Sequence, residues 1–336
     1  MPKLSHDPEW PRAGAWSMLD AISPEASVDL VLLGVPAWRT SLSPTGAHAT
    51  PGAIRDALRR YSPALMPDRS GADGGATGVA AGKVTVDSLA RGIRDLADLV
   101  IADGGDIHEP DGPEGEARTR AAAARAIGRS STLMALGGDN SVTVATALGA
   151  WGDDLDRAGL VTIDAHYDLR DGVSNGSPVR RLVEAGLDPA RIVQIGIADF
   201  ANSAAYARRA AGLGITVVHR DELHRRSPSD VMAEALAVAG SAGGPVHLDV
   251  DVDVCDRAVA PACPASVPGG IAAWELRALV RAAASDARVR SADLVEIDAT
   301  MDAADQRTVR LAALCVLEFV AGLTARPTVE GGRLGA

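Results

Sequence analysis

Three short stretches gather acidic residues in a way that an ordinary solvated surface does not require. Leu136-Gly137-Gly138-Asp139-Asn140-Ser141 ends an apolar run in a glycine turn. Ile163-Asp164-Ala165-His166-Tyr167-Asp168-Leu169-Arg170 sets Asp164, His166 and Asp168 at i, i+2 and i+4, one face of an extended chain. His247-Leu248-Asp249-Val250-Asp251-Val252-Asp253-Val254-Cys255-Asp256 does the same for Asp251 and Asp253. Carboxylates brought together repel and lose hydration unless cations neutralise them. One imidazole with four aspartates (Asp164, Asp168, Asp251, Asp253) is a donor set for one or two divalent ions, Mn²⁺ before Mg²⁺, Fe²⁺ or Ni²⁺. Two such ions sharing carboxylates activate water near neutral pH. Singly, each stretch has a plainer reading: a tight turn, a solvated surface, a sheet edge. Jointly, each following an apolar run, they point to a metal site.

The elements that must position these residues are legible as strand-length apolar runs. These are Val28–Val35, Leu99–Ala102, Thr132–Leu136, Gly159–Ile163, Ile192–Ile197, Ile215–His219, Pro245–Val250 and Asp293–Ile297. Helix-like segments lie between them: Pro51–Tyr61, Ala117–Ile127, Val142–Gly149, Pro178–Glu184, Ser203–Ala211 and Ala272–Ala284. This alternation predicts an α/β fold, a doubly wound, mostly parallel sheet in a three-layer α/β/α arrangement. Acids end many of the runs (Asp103, Asp106, Asp139, Asp164, Asp249–Asp253, Glu296), where open α/β sheets bind ligands. Pro67–Gly82 and Gly104–Glu116, rich in Gly and acidic residues, read as loops. Residues 1–25 read as an N-terminal extension and 26–330 as a single catalytic domain.

Composition narrows the function classes. The chain has 336 residues with 33 Lys+Arg against 44 Asp+Glu, a formal charge of −11, which argues against a nucleic-acid partner. No apolar run approaches the ~20 residues of a membrane span, so no membrane partner is expected. The N-terminus shows no signal-peptide pattern. Cys255, Cys263 and Cys315 lack zinc spacing and, being three, cannot all pair. A reduced cytoplasmic location follows. No Gly-x-Gly-x-x-Gly follows the first apolar run, which disfavours a dinucleotide enzyme.

The three acidic stretches resemble the ureohydrolase (arginase/agmatinase) superfamily, whose signatures are Gly-Gly-Asp-His, Asp-Ala-His-x-Asp and Asp-x-Asp-x-x-Asp. Here they stand at Gly137–Asn140, Asp164–Asp168 and Asp251–Asp256. The resemblance runs over roughly residues 28–322, including Ser43-Pro44-Thr45-Gly46-Ala47, Pro51-Gly52-Ala53-Ile54-Arg55 and Val295-Glu296-Ile297-Asp298. Within the superfamily the chain looks most like the formimidoylglutamase branch. Asp168-Leu169-Arg170, Asn175-Gly176-Ser177-Pro178, Ala260-Pro261-Ala262-Cys263-Pro264-Ala265, Thr300-Met301-Asp302 and Gln194–Tyr206 carry that likeness.

The resemblance implies an arginase-like fold, two Mn²⁺ ions per chain, a small amidine or guanidine substrate and a homo-oligomer, trimer or hexamer. It implies that Asp164 and Asp251 bridge the ions, that Asp168 joins the first, and that His166 and Asp253 complete the second. It makes Asp168 and Glu296 the catalytic pair, with Glu296 holding the substrate cation. Arg170, Asn175, Ser177 and Arg180 become substrate-binding candidates, the arginines through charge-assisted bonds to carboxylates. The expected reaction is hydrolysis of N-formimidoyl-L-glutamate to L-glutamate and formamide. The alternatives are hydrolysis of another guanidino compound (agmatine, a guanidino acid, arginine or hydroxyarginine) and a catalytically impaired metal-binding relative. Two departures stand out. Asn140 occupies the place of the family's first-metal histidine, and an amide oxygen is a weaker ligand than imidazole. Ala198 stands where relatives often show arginine. Separately, Asn175 stands where arginases usually carry histidine, which speaks against arginase itself.

Overall fold

A computed structural model describes residues 7–65 and 94–326. The Pro67–Gly82 stretch lies outside them. The apolar runs become strands β1 (Ser17–Met18), β2 (Val28–Val35), β5 (Ile101–Asp106), β6 (Ser130–Gly137), β7 (Gly159–Ile163), β8 (Ile192–Ile197), β9 (Thr216–His219), β10 (Val246–Asp251) and β11 (Val289–Val295). They form one nine-stranded sheet in the order β1-β5-β2-β6-β11-β10-β7-β8-β9, parallel throughout. Two further strands, β3 (Ala64–Leu65) and β4 (Arg94–Asp95), pair antiparallel as a separate ladder.

Helices cover both faces, which is why strand residues such as Leu133, Met134, Ala135 and Leu136 are apolar in succession and wholly buried. On one face α1 (Thr50–Leu58), α7 (Pro228–Ala239), α8 (Ala273–Ala284) and α9 (Arg307–Leu323) pack on Leu30, Leu32, Met134, Leu136, Leu248 and Val250. The opposite face carries α2 (Gly112–Ile127), α3 (Val142–Trp151), α4 (Pro178–Glu184) and α5 (Ala204–Leu213) against Val31, Leu33, Leu133, Leu160 and Ile192. A single-turn helix, α6 (Arg220–Leu223), follows β9. The result is the three-layer α/β/α fold expected from the alternation.

Two expectations need correction. The second apolar run is a strand displaced toward its C-terminus, at Ile101–Asp106. Gly104–Glu116 is not one loop: Gly104–Asp106 complete β5, and α2 begins at Gly112 with proline at its first turn, where the missing N–H costs nothing. Ser17 and Met18, in the segment read as an extension, pair with Ala102 and Asp103 at the sheet edge. No helix among the described residues is long and apolar enough to cross a membrane.

The chain passes from β6 to β7 while β11 and β10 lie between them in the sheet. This leaves a crevice at the carboxyl ends of four adjacent strands, β6, β11, β10 and β7. Ligand sites in open α/β sheets occupy such positions.

Candidate metal centre and substrate cleft

Each of the four central strands ends in a turn that delivers one part of the site. After β6, Gly138 N donates to Val35 O and Asp139 N to Ala37 O, so the turn lies directly on the backbone leaving β2. A Cβ on Gly138 would lie 1.8 Å from Ala37 O, which makes glycine obligatory there. Gly138 O in turn accepts from Glu296 N at 2.9 Å, tying the end of β11 to the same turn. After β7, Asp164 N donates to Ile195 O, and Asp164 Oδ1 accepts from His166 N at 2.7 Å. After β10, Asp251 Oδ1 accepts from Asp253 N at 2.8 Å. Asp168 and Glu296 both hold positive φ, 51° and 64°. Left-handed backbone at non-glycine residues is strained and concentrates where function dictates side-chain direction.

The acids converge. His166 Nδ1 lies 3.0 Å from Asp253 Oδ2 and 3.4 Å from Asp164 Oδ1. Asn140 Nδ2 donates to Asp168 Oδ2 at 2.6 Å and lies 3.4 Å from Asp251 Oδ2, while Asn140 Oδ1 accepts from Thr143 Oγ1 at 2.6 Å. The amide nitrogen, not the oxygen, therefore faces the carboxylates. Asp164, Asp168, Asp251, Asp253 and Glu296 are all buried. Burial and the neighbouring Asp253 charge push Asp164 up to about 6. Burial followed by the charge of Asp164 raises Asp168 well above the usual range, and burial with Asp253 does the same for Asp251. Burial opposes a charge on His166, but the carboxylates of Asp253 and Asp164 overcome it and push the imidazole up to about 12. Asp253 is held low despite its burial, because it faces that imidazolium.

A divalent cation would supply the positive charge that these convergent buried carboxylates call for. Asp164, His166 and Asp253 offer ligand atoms that all lie within 4.8 Å of one another. Asp164 Oδ2 and Asp253 Oδ1 are buried without a hydrogen-bond partner among the described residues. Orphaned buried carboxylate oxygens are costly, so the donor set fits a divalent cation.

Glu296 sits beside this cluster. Its Oε1 accepts from Asn140 N and from Asn175 Nδ2, both at 2.8 Å. Burial and the nearby Asp139 push its carboxyl up to about 8. A cleft of about 550 Å³ opens over the site, lined by His166, Asp168, Asp251, Asp253 and Glu296 at the floor and by Arg170, Asn175 and Tyr206 on the wall.

Two substrate-binding candidates lie elsewhere. Ser177 is fully buried, and its hydroxyl closes the turn around Ser174 that presents Asn175. Arg180 spends its guanidinium on Arg170 O, Gly172 O and Glu184, bracing the loop behind the cleft. Ala198 is buried outside the cleft, in a separate depression. The acidic strand ends divide as well. Asp103 and Asp106 pair with Arg55. Asp249 points inward beside Asp293, its register partner, and burial raises it well above its usual range. His247 links that buried pair to Ser291, with Nε2 3.0 Å from Asp293 Oδ2 and Nδ1 2.8 Å from Ser291 Oγ.

Two residues with positioning roles carry no metal or substrate signature. Asn202 donates to Ala165 O and Ala198 O and accepts from Tyr167 N, which clamps the turn bearing His166. Thr143 fixes the Asn140 amide. Thr143 lies three residues beyond Asn140, in the first turn of α3, and that helical spacing is the one signal that pairs them.

A doubly wound sheet whose central strand ends carry this Asp/His cluster defines a class, and the chain belongs to the arginase family, whose model matches residues 28–322. Among curated relatives, the formimidoylglutamase of Halalkalibacterium halodurans is 31% identical over 300 residues, covering 87% of this chain and 86% of the relative. That of Halobacterium salinarum is 34% identical over 301 residues, covering 88% of each. The crystal structure of formimidoylglutamase from Bacillus subtilis superposes with a TM-score of 0.82 at 26% identity, covering 97% of this chain and 96% of that one.

Proposed function

We propose that this chain hydrolyses the carbon–nitrogen bond of a linear amidine, N-formimidoyl-L-glutamate plus water giving L-glutamate and formamide. The observation that carries the reading is the convergence of Asp164, His166, Asp168, Asp251, Asp253 and Glu296 on one cleft at four adjacent strand ends. Relatives named for that reaction match most of the chain.

Asn140, Asp164, His166, Asp168, Asp251 and Asp253 would hold two Mn²⁺ ions, Asp168 and Asn140 at the first, His166 and Asp253 at the second, and Asp164 and Asp251 at both. When bound, the ions activate water and stabilise charge at the reacting carbon. The remaining work falls to the chain's own side chains. Glu296, its Oε1 fixed by Asn140 N and Asn175 Nδ2, receives the amidine cation, which supplies the positive charge its buried carboxyl lacks. That contact holds the planar C=N carbon over the floor of the cleft. Asp168 Oδ2 accepts a proton as water adds and passes it to the departing amine nitrogen. Arg170 and Asn175 remain the substrate-binding candidates that the cleft wall includes. The same reading takes residues 26–330 as one catalytic unit in a cytoplasmic homo-oligomer.

The test is Mn²⁺-loaded protein offered N-formimidoyl-L-glutamate, agmatine, arginine, hydroxyarginine and guanidino acids, with kcat/KM as readout. Highest turnover on formimidoyl-glutamate is expected. Preference for a guanidino compound would move the assignment to that substrate. Absence of turnover on every compound, with two ions bound, would overturn the hydrolase reading. Less than one tightly bound ion per Mn²⁺-loaded chain would identify an impaired relative.

A further inference from the structure

Beneath the turns that bear the acids, the sheet carries a second polar row that the proposed reaction does not use. Asp293, Asp249, Thr162 and Gln194 stand on the adjacent strands β11, β10, β7 and β8, each the register partner of the next. Partners in register point to one face, so the four side chains project together. Leu160 and Ile192, two residues earlier on β7 and β8, mark that face as the one covered by α3, α4 and α5. Asp164 and Asp251 lie two residues further along the chain on the same face, about 7 Å above the row. All four side chains of the row are wholly buried. Five of their oxygens nonetheless lack a hydrogen-bond partner among the described residues: both of Asp249, Oδ1 of Asp293, Oγ1 of Thr162 and Oε1 of Gln194. The neighbouring contacts hold these oxygens where they are. Gln194 Nε2 donates to Tyr167 O at 3.0 Å, which fixes the amide and leaves its carbonyl oxygen free. Asp293 Oδ2 lies 3.0 Å from His247 Nε2, and that ring is fixed by Ser291 Oγ at 2.8 Å and by the edge-on Trp151. Among the described residues, His247 is the one basic side chain paired with either acid of the row.

Buried acceptor oxygens without donors are costly, and a cluster of them calls for something that supplies positive charge. The set is all oxygen, with neither imidazole nor thiolate facing it, which suits a hard cation rather than a transition metal. Neutral hydroxyl and amide oxygens beside carboxylates resemble the oxygen cages that replace the hydration shell of an alkali ion. A singly charged ion is also the one that ions bound about 7 Å above would repel least, since repulsion scales with the product of the charges. We propose that Asp249, Asp293, Thr162 and Gln194 form a buried alkali-cation site, for Na⁺ or K⁺, that pins four strands together beneath the acid-bearing turns. The site does not depend on the identity of the substrate or on turnover.

The experiment has a solution arm and a crystal arm, both on Mn²⁺-loaded full-length protein. In solution, Tm is measured in KCl, NaCl and choline chloride at equal ionic strength. At least one alkali salt is expected to raise Tm by about 3 °C over choline, as a ligand of the folded state does. Asp249→Asn, which removes a charge at constant shape, and Thr162→Val, which removes one oxygen, should each abolish most of that difference. No difference in the wild type, or an undiminished difference in both variants, overturns the proposal. In the crystal, Rb⁺ replaces the alkali ion and its anomalous scattering locates it. A peak among Asp249, Asp293, Thr162 and Gln194 is expected. Water in the row without an anomalous peak, or a peak only at Asp164 and Asp251, overturns the site. Should neither variant fold, the Rb⁺ peak in the wild type decides alone.

Discussion

Asn140 is the residue at which this site departs most from the donor set its neighbours define. Its amide nitrogen donates to Asp168 and approaches Asp251, so it acts as a partial positive charge among acids. For its oxygen to serve as a ligand, the amide must turn over and give up the bond from Thr143 to Oδ1, although the exposed NH₂ can then donate to the same hydroxyl. Imidazole is the stronger donor for Mn²⁺ and needs no such exchange. Asn140→His is therefore expected to tighten the weaker ion by about tenfold, a change of the size that altered ligand environments commonly produce. Calorimetric titration with Mn²⁺ measures it, and an unchanged weaker-site affinity would show that Asn140 does not limit the first ion. The convergence of the acids and His166 was legible residue by residue, since Asp-x-His-x-Asp and Asp-x-Asp follow apolar runs and share a face. Ser177 and Arg180 were not. Sequence adjacency to Asn175 and Arg170 does not reveal that one hydroxyl turns inward to close a loop, or that one guanidinium is consumed by two carbonyls and a glutamate.

The elements hold the site through backbone contacts that leave no room for adjustment. The turn after β6 carries Asn140, binds the end of β2 and accepts the N–H of Glu296 through Gly138 O. Gly138→Ala would drive a methyl into the Ala37 carbonyl, which cannot retreat without moving β2. The expected cost is about 3 kcal/mol or more, together with loss of tight Mn²⁺ binding because Asn140 and Glu296 shift together. Thermal unfolding and ion stoichiometry check this; a variant with wild-type values for both would mean the turn relaxes freely. Elements whose burial is two-sided were read well, because a strand covered on both faces has no polar alternation to misplace it. Helix α9 was missed for a related reason. Fourteen of its seventeen residues are buried, so the polar stripe of Arg307, Arg310 and Glu318 that marks its period is narrow. Helix α7 did carry a start signal, Ser227 followed by Pro228, with the Ser227 hydroxyl accepting from Asp230 N. At the opposite extreme, the acid and glycine content of Gly104–Glu116 suggested a loop, but sheet pairing and a helix start override composition there.

At the scale of the whole molecule, the acid surplus of eleven charges bears on how stability follows pH. Without metal, the folded chain keeps protons that the unfolded chain would release. His166 sits near 12 against an ordinary 6.5, Glu296 near 8 against 4.5, and Asp164 near 6 against 3.8. For each, the folded state binds more protons across the interval between the two values, so stability falls as pH rises through that interval. The His166 contribution is complete below 6.5 and is lost progressively toward 12. The Glu296 contribution is complete below 4.5 and is lost by 8. Asp253, held below its ordinary 3.8, acts oppositely, but only in more acidic solution. Between pH 6 and 9, then, the Tm in EDTA should decline. Mn²⁺ reverses the slope of its own contribution, because His166 and the carboxylates must shed protons to bind it. Affinity therefore rises with pH, and with it the stabilisation that binding to the folded state alone confers. Thermal unfolding at half-unit pH steps, in EDTA and in excess Mn²⁺, should show the gap between the two curves widening from pH 6 to 9. His166→Asn should reduce the EDTA slope above pH 7, since its imidazolium is one of the groups that lose a proton across that range. A gap that narrows with pH would mean that the convergent acids are neutralised by something other than the ion.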